Sequence, residues 1–147
     1  MAITVSKYYK FLEGQMSGIA NAVIDFNTDT MKVSMHTVAY VPTQATDDFW
    51  DNTTNEVTGT NYTTKGATIG SPTITGGATT TFDGADVTWS QNASGFSNGR
   101  IGVLYKDGAG ADSTDPLVSW IDFGASVGNT VADLVLVWNA SGIITWT

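Results

Sequence analysis

MKVSMHTVAY, residues 31–40, alternates: Met31, Val33, Met35 and Ala39 fall on one side of an extended chain, and Lys32, Ser34, His36 and Tyr40 on the other. A period of two marks a strand with one face turned to a core. Asn27 and Asp29 supply turn chemistry ahead of it, and Pro42, which has no N–H for a ladder, stops it. Upstream the period is different. In SKYYKFLEGQM, residues 6–16, Tyr8, Phe11, Leu12 and Met16 recur at helical spacing. One short amphipathic helix is therefore predicted over 6–17, with Ser6 as its cap and Gly18 as its stop.

Downstream of Pro42, Thr46 is placed to cap a single helical turn over Asp47–Asp51, with the acids at its positive end. Phe49 and Trp50 in that turn would plug either a core edge or a partner surface. Residues 55–85 read as two or three short strands with turns at Gly59, Gly66, Gly70 and Gly76–Gly77, and the Thr/Gly stretch 70–81 as a surface hairpin or loop. Clearer strands follow around Trp89, at 100–106 (RIGVLYK) and at 116–124 (PLVSWIDFG). The last two, at 134–138 and 142–147, are predicted to form a hairpin across Asn139–Gly142. Strands that recur every 10–15 residues with no helix pattern between them argue a mainly β chain. The expected fold is an antiparallel β-sandwich or barrel-like domain spanning 1–147, one short N-terminal helix followed by strands over 23–147.

Composition excludes several kinds of chemistry. A chain of 147 residues without cysteine has no disulfide, thiolate nucleophile or cysteine metal site. At that length roughly 68–70% of the unfolded surface is buried, enough for a core without staples. Only 14% of residues are charged, the net charge is −8, and six Lys and Arg are scattered singly, which leaves no basic stripe for nucleic acid. The start MAITVSKYYKF lacks the apolar run of a secretory signal, and no apolar stretch reaches bilayer length, so neither export nor membrane insertion is expected. The sequons at Asn52, Asn61, Asn92 and Asn139 are read as chance in a Thr-rich chain.

His36 is the only histidine, so any nucleophile–His–carboxylate site must be built on it, and a His-rich metal site is excluded. Alternation places it on the polar face of its strand, where a solvated or hydrogen-bonded His is the ordinary outcome. Ser90, Ser94 and Ser97 lack the strand–turn–helix context of a nucleophile elbow. Asp outnumbers Glu by 12 to 2, in groups at Asp47, Asp48 and Asp51, at Asp83 and Asp86, and at Asp107, Asp112 and Asp115. The last group, in KDGAGADSTDP, departs from the EF-hand order and reads as turn chemistry before it reads as a calcium loop. No pair of acids is singled out for glycoside hydrolysis, and no Gly-rich segment has the phosphate-cradling pattern. Trp89, Trp120, Trp138 and Trp146 fall in predicted strands and are expected in the core. No catalytic, cofactor-binding or metal-ligating residue is assigned.

Several segments taken together resemble a family of small virion structural proteins of tailed bacteriophages. They are ITVSKYYKFLEG (3–14), AVIDFNTDTMKVSM (22–35), YVPTQATDDFWDNTTNEVTGTNYT (40–63), ADVTWS (85–90), PLVSWIDFG (116–124) and ASGIITWT (140–147). The chain departs from the family's usual Gly-rich pattern at Gly59–Gly66 and is longer over Gln15–Ala22. The resemblance implies a non-enzymatic particle component without cofactors, made in the host cytoplasm and carried on the capsid surface. Its partners would be the major capsid protein, which it would decorate and stabilise, and itself, as a homo-oligomer such as a trimer. A tail- or fibre-associated protein contacting the host surface is the alternative. Tyr8, Phe11, Leu12, Phe49 and Trp50 are the expected partner contacts.

Overall fold

A computed structural model describes residues 4–108 and 110–146. The chain is mainly β, and every strand pairing among the described residues is antiparallel. β1 (Thr4–Lys7) leads into the helix α1 (Tyr9–Ser17). β2 (Met31–Thr37) and the short β3 (Ala67–Thr68) follow, then β4 (Thr73–Thr75), β5 (Thr80–Asp83) and β6 (Val87–Trp89). The long strands β7 (Gly99–Lys106) and β8 (Leu117–Val127) precede β9 (Leu134–Leu136) and β10 (Ile144–Trp146). The main sheet has the order β1-β8-β7-β2-β3; β10-β5-β4 and β6-β9 form two smaller sheets. The sheets are open, so the architecture is the sandwich of the two expected alternatives.

The main sheet is covered on both faces. Met31, Val33, Met35, Leu104, Ile121 and Phe123 cluster with Phe11 of α1, Phe82, Trp89, Leu136 and Ile144 from the smaller sheets. A second cluster joins Ile101, Val103, Tyr105 and Leu117 to Tyr8 and Tyr40, with Trp50 and Trp120 packed against it. Its cover is the segment between β2 and β3. Residues 55–57 pair with the end of β2 (Thr37 N–H to Asn55 O, 2.9 Å; Val57 N–H to Met35 O, 2.9 Å). Residues 48–50 pair with 115–117 (Leu117 N–H to Asp48 O, 2.9 Å; Trp50 N–H to Asp115 O, 2.8 Å). The polar-face reading of β2 is corrected accordingly: Ser34 and His36 have no exposed surface.

Three local expectations are also corrected. Ser6 does not cap a helix, because Thr4–Lys7 pairs with Ser119–Asp122 of β8. The helix starts only at Tyr9, and Gln44 secures its entry by accepting from Tyr9 N–H (2.9 Å) and donating from its side chain to Lys7 O (2.8 Å). It ends at Gly18 as expected, with φ +66°. Thr46 caps no helical turn over 47–51; a single 3-10 turn forms at Trp50–Asn52 instead, with Asn52 Oδ1 accepting from the N–H groups of Asp48 (2.9 Å) and Phe49 (3.2 Å). Finally, the turn at Asn139–Gly142 forms (Gly142 N–H to Asn139 O, 2.8 Å), but no hairpin follows from it. β9 pairs with β6 and β10 with β5, so the turn carries the chain from one small sheet to the other. Trp138, just beyond β9, bonds back to Ala85 O (3.0 Å) and Asp86 Oδ1 (2.9 Å).

Candidate functional site

Among the described residues, a Ser–His pair that resembles catalytic machinery is sealed. Ser34 and His36, two apart on β2, point to the same face, with Ser34 Oγ 2.8 Å from His36 Nε2. His36 Nδ1 lies 2.8 Å from the Thr54 carbonyl, which fixes the proton on Nδ1 and leaves Nε2 to accept from Ser34. Trp50 Nε1–H donates to Ser34 Oγ at 3.4 Å from above. Burial lowers the imidazole pKa to about 4, outweighing the Thr54 hydrogen bond, so the ring is neutral near pH 7. A nucleophile with no exposed surface has no route to substrate. The pair acts as a satisfied polar plug beneath the 38–56 segment.

Behind it lies a second network, which caps β2 at Met35, between its pairings with β3 and with residues 55–57. Tyr62 Oη accepts from Met35 N–H (2.9 Å) and donates to Glu56 Oε1 (2.7 Å), which also accepts from Lys65 N–H (2.6 Å). Burial raises the Glu56 pKa against the opposing pull of Tyr62 and Lys65. The Lys65 ammonium sits between Asp112 Oδ1 (2.6 Å) and Asp115 Oδ2 (2.7 Å), with the Trp50 ring centroid 5.3 Å away. Burial works against that charge, but the hydrogen bonds to Asp112 and Asp115 leave the lysine pKa raised. Two acids of the loop, which reads as turn chemistry before a calcium loop, thus share one lysine. Asp107 pairs with Lys32 (2.5 Å), and among the described residues no three His, Asp or Glu gather as metal ligands.

The expected contact residues separate into three groups. Tyr8 is fully buried, its hydroxyl 2.9 Å from that of Tyr40 and its ring 4.7 Å from Trp120. Phe11 is buried against Phe26 and Trp146. Both therefore belong to the core: Tyr8 immediately precedes α1, and Phe11 lies on the face of α1 turned to the sandwich. Phe49 and Trp50 are half-buried: Phe49 bridges to Pro116, and Trp50 packs between His36 and Tyr105. Leu12 is exposed. With it stand Tyr9 (62% exposed) and Met16 (87%), at i−3 and i+4 on the same face of α1, and the exposed Ile19 and Val23 follow in the next loop. Sequence reasoning missed Tyr9; the stripe became visible only once Tyr8 and Phe11 were seen to take the inner face.

Of the four strand tryptophans, Trp89 is buried, while Trp120, Trp138 and Trp146 are half-buried. A recess of about 280 Å³ opens between β1 and the β9–β10 connection, lined by Val5, Ile121, Leu136, Trp138 and Ile143. Its walls are mostly apolar, with Ser119 and Asn139 as polar members and no titratable group, so it can hold an apolar side chain. Comparison with protein-family models, with curated proteins and with solved structures finds no match. No described helix is long and apolar enough to cross a membrane.

Proposed function

We propose that this chain is a virion structural protein of a tailed bacteriophage that decorates the capsid, and that it docks through the outer face of α1. The observation that carries the reading is the Tyr9–Leu12–Met16 stripe. A mainly β protein places its one helix at the surface and leaves three large apolar side chains unburied on a single face of it. Scattered exposed apolar residues need no explanation, but a contiguous face fits a contact surface. The sequence resemblance suggests the particle, carried by segments that run in order from residue 3 to 147 and make up about half of the chain. Repetition over a shell suits a domain that acts by contact, since linked copies gain effective concentration without strong single contacts. The major capsid protein is the proposed partner, with a homo-oligomer, such as a trimer at a symmetry axis, as the unit that binds.

The test is a Tyr9→Asp/Met16→Asp double variant added to particles stripped of the native protein. Both sites are exposed, so stability should change by no more than about 1 kcal/mol. Particle binding should fall at least tenfold. Unchanged binding by a folded variant would remove α1 from the interface.

A further inference from the structure

We propose that Lys65 and Asp115 condense to an intramolecular isopeptide bond that ties the loop before β3 to the start of β8. This inference stands on the geometry of the pair and not on the virion reading.

Lys65 is held as a positioned nucleophile. Its backbone is left-handed (φ +70°), a conformation a lysine adopts only when its surroundings impose it. Those surroundings are explicit: Glu56 Oε1 accepts from its N–H at 2.6 Å, and Tyr105 Oη donates to its carbonyl at 2.6 Å. Clamped at both ends, the residue sends its side chain past Trp50 to Asp115 Oδ2, 2.7 Å from Nζ. Asp115 is held just as firmly. Its side chain has no exposed surface, its Oδ1 accepts from Gly108 N–H at 2.7 Å, and its carbonyl accepts from Trp50 N–H at 2.8 Å. A third group completes the arrangement: Asp112 Oδ1 is 2.6 Å from the same Nζ, and its side chain is 47% exposed, within reach of solvent protons.

The step balances without a co-reactant. Lys65 rests as the ammonium, because against burial the two carboxylates hold its pKa raised. In the small fraction of molecules in which it has passed one proton to Asp112, the neutral amine adds to the Asp115 carboxyl carbon, forming the C–N bond. The Gly108 N–H faces Oδ1, where negative charge develops in the tetrahedral adduct, as an oxyanion donor would. The adduct nitrogen loses a second proton, Oδ2 receives both, its bond to carbon breaks, and it leaves as water. Asp112 ends as it began. Ammonium plus carboxylate have become amide plus water. Holding the two groups in contact supplies the effective concentration that the bimolecular reaction lacks, and burial of the carboxyl protects the amide from hydrolysis. The product would close a chain loop across fifty residues, constraining the unfolded state.

The test is the intact mass of the purified, denatured chain after incubation of the folded protein near neutral pH. The expected result is a mass one water short of the sequence, with a digest containing a branched peptide joined at Lys65 and Asp115. Lys65→Arg keeps the charge and should restore the full mass; Asp112→Asn should slow the loss of water. A full mass in the native sequence overturns the proposal. So does a water loss that the digest places elsewhere, as in a succinimide at Asp107–Gly108.

Discussion

His36 is the residue at which charge and burial oppose each other most directly. Its pKa is lowered from 6.5 to about 4 on folding, mainly because burial penalises the imidazolium. Between those values the unfolded chain binds more protons than the folded one. The stability tied to neutral His36 is therefore complete above pH 6.5 and is lost as pH falls toward 4, about 3 kcal/mol over the window. Glu56, raised by burial, works in the opposite sense, so the effect is best read as a difference between variants. Denaturant midpoints measured from pH 7 to 4 should fall less for His36→Gln than for the native sequence; parallel profiles would refute the assignment. Trp50 acts at the same scale. It covers Ser34 and Lys65 and packs on Tyr105, so Trp50→Ala should lower stability by about 3 kcal/mol in a denaturant titration. Gly66 is a third such position: with φ +77° and the Val33 carbonyl where a Cβ would stand, Gly66→Ala should destabilise by at least about 1 kcal/mol. The turn at Gly66 was legible locally, but the burial of His36 and the packing of Trp50 were not. The alternation of residues 31–40 places His36 on the correct side of β2, but that side is polar only until residues 38–56 fold back over it. The contacts that bury it come from Thr54 and Trp50, beyond the reach of a period.

At the scale of elements, periodicity was informative wherever one face of a strand meets the core and less so at chain reversals. β2, β7 and β8 lie where alternation and apolar runs predict them, and the 70–81 stretch is indeed the hairpin region, β4 pairing with β5. The helix stop at Gly18 was readable because a left-handed residue is local chemistry. Its start was not, since Ser6 is drawn into a ladder with Trp120, a partner far along the chain. The same limit explains Asn139–Gly142. A turn is local and was found; the pairing of the strands on either side depends on Phe82 and Val87, which the turn does not encode. Amide exchange should follow this hierarchy. β7, paired on both sides and buried along most of its length, should open only with global unfolding, while Gly76–Thr79 at the β4–β5 tip should exchange fastest. Equal protection across the two would contradict the layered arrangement.

For the whole molecule, the layers separate what holds the chain together from what it presents. One sheet carries two apolar clusters, and the polar groups beneath the 38–66 segment are joined in closed networks: Ser34 with His36, Tyr62 with Glu56, Lys65 with Asp112 and Asp115. What remains outside is a surface with a net charge of −8 and an apolar stripe on α1. Tyr8 and Phe11, expected in a contact, serve the fold; Leu12, with Tyr9 and Met16, stands free to serve an interface. Of the stripe, Leu12 was an expected contact and Met16 was placed by helical spacing alone; Tyr9 depends on which side of the helix the sandwich claims. The central claim, that the protein decorates a capsid, is tested most directly by electron microscopy of purified particles of the phage that encodes it. The account predicts copies repeated regularly over the shell, with α1 turned toward the lattice. Density confined to the tail, or particles that lack the protein altogether, would contradict it.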